Sequence, residues 1–248
     1  MIAIKTNNLR KEYKDLVAVN DLNLEINEGE LFSLLGVNGA GKTTTIKMLS
    51  TLLKPTSGDA FIYDYSINKD ESKIKELIDI SMQETAIARK LTVDENIEFY
   101  AKLSGLNKEE VENAKKALYS AFDLYKVKKK QASKLSGGWQ RKLSIALALV
   151  SNPKVLFLDE PTLGLDVIAR RELWNTINSL KGKMTIILTT HYMEEAEALS
   201  DRIGIMKDGS LLFVGTKEEL FSKTNKTSVE DAFIEIVTGG ESNEKVTF

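Results

Sequence analysis

Two textures alternate along this chain. Short apolar runs stand between longer stretches whose apolar residues recur at helical spacing, and that alternation predicts an α/β fold. Leu31, Phe32, Ser33, Leu34 and Leu35 read as a strand. Glycines follow, then a helical pattern over residues 43–53 that Pro55 and Gly58 would stop. Residues 60–63 and 78–82 are further strands, and between residues 85 and 151 the texture is helical. Val93–Leu103 follows Thr92, with Glu95 placed to complete a capping box. Lys108–Phe122 is charged on one face and apolar on the other. Strand texture returns at 155–158 and 185–190, continuous apolar or β-branched runs that suit parallel strands covered on both faces. The pattern thus predicts a parallel-sheet core interrupted by a helical insertion. Residues 1–30 and 203–214 are expected to be smaller strand pieces around that core, the second turning at Asp208 and Gly209. The tail from about Thr238 is polar and expected to fray.

Composition narrows the chemistry. The 248 residues carry a net charge of −2, so bulk electrostatics give no reason to expect a nucleic-acid partner. There is no cysteine and one histidine, His191, which excludes thiolate and multi-histidine metal sites. No apolar run approaches the roughly 20 residues that span a bilayer, and residues 1–11 lack a signal-peptide core. A cytoplasmic location is expected, with any membrane role supplied by a partner.

One motif carries specific chemistry. Gly36-Val37-Asn38-Gly39-Ala40-Gly41-Lys42-Thr43 fits G-x-x-x-x-G-K-[ST] without a gap, after a predicted strand and at the start of a predicted helix. Glycines let backbone N–H groups turn inward around phosphate oxygens, and the helix N-terminus adds positive potential there. Lys42 can reach the β- and γ-phosphates and the Thr43 hydroxyl can ligate Mg²⁺. Gly36, Asn38, Gly39, Ala40, Gly41, Lys42, Thr43 and Thr44 are therefore the candidate contacts to Mg-ATP. The strand at 155–158 ends in Asp159 and Glu160, at the edge where parallel sheets bind ligands. Asp159 is expected to hold Mg²⁺, through water. Glu160 is expected to act as general base toward the attacking water. Alone, the pair would be an ordinary acidic turn; the phosphate loop gives it meaning.

Leu135-Ser136-Gly137-Gly138, followed by Gln140, Arg141 and a helical pattern ahead of Asp159, resembles the signature of ATP-binding cassette (ABC) ATPases. A bare Ser-Gly-Gly is a turn, but this order and spacing are specific, and the resemblance runs from Tyr13 to about Gly239. It implies a P-loop NTPase (RecA-like) core with an antiparallel β subdomain and an inserted helical subdomain. The implied divisions are 1–84 with 152–222 for the core and β subdomain, 85–151 for the helical part with the signature, and 223–248 for a C-terminal helix and polar tail. It implies that Tyr13 stacks on adenine, that Gln83 contacts Mg²⁺ and the attacking water at the hinge into the helical part, and that His191 bonds the γ-phosphate. Asp166 would be the key acid of a loop that crosses to an opposing subunit. Ser136, Gly137 and Gly138 would face the phosphate loop of a second copy, so that two ATP molecules are sandwiched in a dimer that closes on ATP and opens on hydrolysis. Trp139 departs from the family pattern, which usually has Gln or Glu there. It is expected to be tolerated, packing at the dimer seam or toward a membrane partner.

Less specific stretches, residues 91–100, 162–166 and 228–236, resemble the cassettes of ABC-2 type drug, antibiotic and sodium exporters. That resemblance implies a homodimer on the cytoplasmic face of the membrane, coupled to an integral membrane permease that sets the substrate. The basic run at 126–130 reads as a solvated face. A translation or ribosome-rescue cassette would carry two sets of motifs. A chromosome-structure cassette would place a long coiled coil before the signature. A soluble assembly ATPase is the remaining alternative.

Overall fold

The computed structural model describes residues 1–239; the polar tail expected to fray lies largely outside them. Its centre is a six-stranded sheet in the order β10-β9-β3-β8-β7-β6. These are β3 (Leu31–Gly36), β6 (Ile78–Ser81), β7 (Val155–Asp159), β8 (Thr185–Thr190), β9 (Arg202–Lys207) and β10 (Ser210–Gly215). All neighbours run parallel except β10, which returns antiparallel along β9. A second, antiparallel sheet has the order β2-β1-β4-β5, from β1 (Ile2–Tyr13), β2 (Leu16–Asn27), β4 (Ser57–Ile62) and β5 (Tyr65–Ser66).

The unbroken apolar runs of β7 and β8 follow from cover on both faces. Val155, Phe157 and Ile187 point into a cluster shared with the antiparallel sheet and with α1 (Lys42–Leu49). Leu156, Leu158, Ile186 and Leu188 point the other way, into a cluster built with α3 (Val93–Leu103), α4 (Lys108–Phe122), α5 (Gly137–Ala148) and α6 (Val167–Asn178). The short α2 (Glu71–Lys75) precedes β6. Burying each such aliphatic side chain contributes about 1.5–3 kcal/mol.

Helix ends follow side-chain chemistry. Thr92 and Glu95 form the expected capping box on α3, and Asn107 with Glu110 forms another on α4. Asn96, fully buried, donates to the carbonyls of Ala88, Leu91 and Thr92 and accepts from the Ala88 N–H, fixing the segment that leads from β6 into α3.

Several expectations are corrected. The helix after the phosphate loop ends at Leu49, not near residue 53, because Thr51 turns the chain in the left-handed region at φ 61°. Gly58 lies in β4 instead of stopping that helix. β9 is no peripheral piece: it pairs in parallel with β3, Leu34 facing Gly204. The division at 222/223 falls inside α8 (Lys217–Thr224). That helix packs with α7 (Met193–Leu199) and α9 (Val229–Thr238) on the end of the main sheet, through Ala196, Leu220, Val229 and Phe233 around Leu35 and Ile205. Among the described residues no helix is long and apolar enough to cross a membrane.

Asp79, half-buried on β6, accepts from the Ile80 N–H and the Ser151 hydroxyl. Burial pushes its carboxyl up to about 6. The folded chain therefore keeps a proton that the unfolded chain releases near its ordinary 3.8, and stability falls as pH rises through that interval. Asp79→Asn is expected to stabilise the protein by about 1–2 kcal/mol at pH 8 and to make no difference below pH 4, as read from urea midpoints at the two pH values.

Candidate nucleotide site

Four strand ends meet at one edge of the main sheet. The phosphate loop leaves β3 and enters α1 with Gly41 at φ 101°, where a Cβ would stand 2.4 Å from the Ala18 carbonyl oxygen. Only glycine fits there. Lys42 is nearly buried, and its Nζ donates to the Gly36 and Val37 carbonyls at 2.6 and 3.2 Å. The same Nζ lies 3.4 Å from Glu160 Oε1.

Asp159, the last residue of β7, is fully buried. Its Oδ1 accepts from Thr43 Oγ1 on α1 at 3.1 Å and from Thr189 Oγ1 on β8 at 2.6 Å. Its Oδ2 is buried without a hydrogen-bond partner among the described residues. A buried carboxylate oxygen without a partner is costly. Beside a hydroxyl in an all-oxygen donor set, it suits a hard divalent cation. Thr43 and Asp159 thus fit Mg²⁺, and residues 38–44 line the cavity beside them.

Glu160 follows in the left-handed region at φ 48°, held there by its N–H, which donates to the carbonyl and the hydroxyl of Thr189, each at 3.1 Å. Its Oε2 lies 2.7 Å from His191 Nδ1. One carboxylate is thus gripped by the lysine of the loop and by the histidine after β8. A cavity of about 510 Å³ opens over the loop, Glu160 and His191, lined also by Tyr13, Leu16, Ala18, Gln83 and Leu163. Tyr13 ends β1 half-exposed, with Lys11 Nζ over its ring. Gln83 is exposed just past β6.

The remaining candidates lie elsewhere. Ser136, Gly137 and Gly138 form the start of α5 and do not line this cavity; Ser136 and Gly137 are exposed. Asp166 is the N-cap of α6, its Oδ1 accepting from the Ile168 and Ala169 N–H groups. Trp139 packs within its own chain, half-buried against the helical cluster with Lys142 Nζ 4.8 Å from its ring centre. Sequence reasoning missed Thr189, Leu16 and Leu163. The one available signal was the pair of threonines, Thr189 and Thr190, that ends the strand run.

This geometry has clear relatives. The sequence matches the ABC transporter family over residues 19–163, more than half of its length. The chain belongs to that family. It is 44% identical over 217 residues to the phospholipid-transporting ATPase ABCA3 of Homo sapiens, an alignment that takes in 86% of this chain and 13% of that protein. The chain thus spans about an eighth of the length of that relative. Among solved structures, the ATP-binding subunit of an ABC transporter superposes with a TM-score of 0.84 at 26% identity, covering 94% of this chain and 99% of that one. A cassette solved as a dimer in a post-hydrolysis state, bound to ADP and Pi, superposes at 0.77 with 27% identity, over 86% and 98% of the two chains. The α/β architecture is that of the ABC ATPase cassette.

Because Trp139 packs on its own helix and does not touch the cavity, Trp139→Gln in this cassette is expected to keep at least about a tenth of the ATP hydrolysis rate, a cost below about 1.4 kcal/mol. Steady-state phosphate release checks this, and complete loss would refute the tolerance of the position.

Proposed function

We propose that this chain is the ATP-hydrolysing subunit of an ABC transporter of exporter type. Two copies close on ATP, and closure moves a separate membrane permease. The observation that carries the reading is the convergence of Lys42, Glu160 and His191 at the mouth of the phosphate loop. In this reading, the loop's N–H groups and Lys42 bind the phosphates and Tyr13 stacks on the base. Thr43, Asp159 and Gln83 hold Mg²⁺, which when bound neutralises phosphate charge. Glu160 takes a proton from the attacking water as its oxygen bonds to the γ-phosphorus and the bond to the ADP oxygen breaks. With both ring nitrogens protonated, His191 orients Glu160 by donating from Nδ1 and donates from Nε2 to a phosphoryl oxygen.

Ser136, Gly137 and Gly138 lie outside their own chain's cavity at the start of a helix, which suits donation to phosphate bound by a second copy. The dimeric relative with ADP and Pi supports that pairing. Asp166 would then sit at the seam. A homodimer peripheral to the cytoplasmic face of the membrane fits a chain whose described residues contain no spanning helix. Helices α3–α5 would move with the permease as a unit of residues 85–151.

Glu160→Gln is expected to bind ATP, accumulate as a dimer and lose about 100-fold or more in turnover; wild-type turnover would remove Glu160 from the role of base. Lys42→Ala is expected to fail earlier, at nucleotide binding. Transport coupling is checked by affinity purification of the full chain from membranes of its source cell. Recovery of a polytopic membrane protein is the expected result, and assembly with soluble proteins alone would sink the transporter reading.

A further inference from the structure

Arg141 is 4% exposed, and its guanidinium donates to main-chain carbonyls, with no carboxylate oxygen among its hydrogen-bond partners in the described residues. Nε donates to the Pro161 oxygen at 2.8 Å and Nη2 to the Asp159 oxygen at 2.8 Å. Nη1 donates to the Met82 oxygen and, at 3.2 Å, to the Gln83 oxygen. The planar fork of arginine can serve acceptors on two sides at once, which an ammonium cannot do from one position. Burying this charge is expensive; desolvation pulls its pKa down to about 10.

The carbonyls it serves are not scattered. Asp159 and Pro161 flank Glu160 on either side, and Met82 leads into Gln83. The β6–β7 ladder ends where Ser81 faces Leu158. Past that point no pairing between these two strands holds their ends together, and the guanidinium takes the ladder's place. Its own helix, α5, is preceded by Ser136 as N-cap and is tied to β6 a second time by the buried contact of Ser144 Oγ with Ser81 Oγ at 3.1 Å.

We propose that Arg141 is a positioning residue for hydrolysis: it couples the signature end of α5 to the segments carrying Glu160 and Gln83, so that a shift of the helix start is transmitted to the group that takes the proton. This rests on the ATPase reading above. Arg141 does not line the cavity over the phosphate loop, so its effect is expected on turnover and not on ATP binding.

The test compares the full chain, in the assembly that hydrolyses ATP, with Arg141→Lys and Arg141→Gln. Expected are an ATP KM within about threefold of wild type and a kcat lowered about tenfold or more in Arg141→Gln, with Arg141→Lys intermediate. A merely structural role would instead lower the urea midpoint and move KM and kcat together, and that outcome overturns the proposal, as does a wild-type kcat in either folded variant. Hydrogen exchange on the wild-type chain with a non-hydrolysable ATP analogue gives a readout that needs no variant. Residues 82–85 and 159–161 should gain protection in step with residues 136–141; independent responses overturn the coupling even if both variants fail to fold. A wild-type chain that hydrolyses no ATP in any assembly would refute the ATPase reading itself, whereas a hydrolysing wild type with indifferent Arg141 variants refutes only the coupling.

Discussion

In a parallel ladder every strand delivers its C-terminal end to the same edge, and this constraint makes the site possible. β3 ends in the phosphate loop, β8 in His191, β7 in Asp159 and Glu160, and β6 leads to Gln83. With β8 lying between β3 and β7, Leu35 faces Thr190 and Asp159 faces Thr189. Because β7 and the middle of β8 are apolar on both faces, a slip of one residue there would exchange one apolar set for another. Burial therefore fixes the register only weakly. The polar contacts at the edge fix it better: Thr189 Oγ1 on Asp159, and the Glu160 N–H on Thr189. The bonds that specify the pairing are also those that build the site.

The same edge concentrates charge that the interior would otherwise reject. Lys42, Asp159 and Glu160 are 6%, 0% and 7% exposed. Buried ions are tolerable only with partners close by. Lys42 serves Glu160, and two hydroxyls serve one oxygen of Asp159. Glu160 also bears a left-handed backbone, of the kind that costs about 1–3 kcal/mol and persists only where surrounding bonds over-determine it. The two acceptors that Thr189 offers to one N–H do so. Strain and charge thus fall on the side chain that, in the proposed reaction, takes the proton.

The parts of this arrangement that were legible in the sequence are those whose chemistry is local. Residues 36–43 and the pair 159–160 are read directly because a nest of N–H groups or a strand-end carboxylate is specified by adjacent residues. The capping box at Thr92 is local in the same way. Gln83, His191 and Asp166 gain meaning only from their order among other motifs, since each type is ordinarily a solvated residue. What escaped was non-local or conformational. β9 pairs with a strand some 170 positions earlier, and nothing in its apolar run names that neighbour. The first helix ends at a left-handed Thr51, with no proline or glycine to announce it. A charged residue in a helix ordinarily faces water, so Arg141 shows its place only once two strand ends have been brought to it.

Helix α5 lies where the main sheet meets the helical part. Every residue from Arg141 to Ala148 is buried, and the helix packs against β6, α3, α4 and α6. A surface helix can tilt on its one apolar face. A helix enclosed on all sides moves only if its neighbours move too, because close-packed interiors transmit displacement instead of absorbing it. Its first turn is the exception: Ser136 and Gly137 stand in solvent, and a Cβ added at Gly137 would meet nothing. The helix is therefore free at the end that would meet a second subunit and clamped at the end that touches its own sheet, with Arg141 at the border between the two. A contact made at the free end would be passed inward through this packing, and in the proposed coupling one route runs past the carbonyls on either side of Glu160.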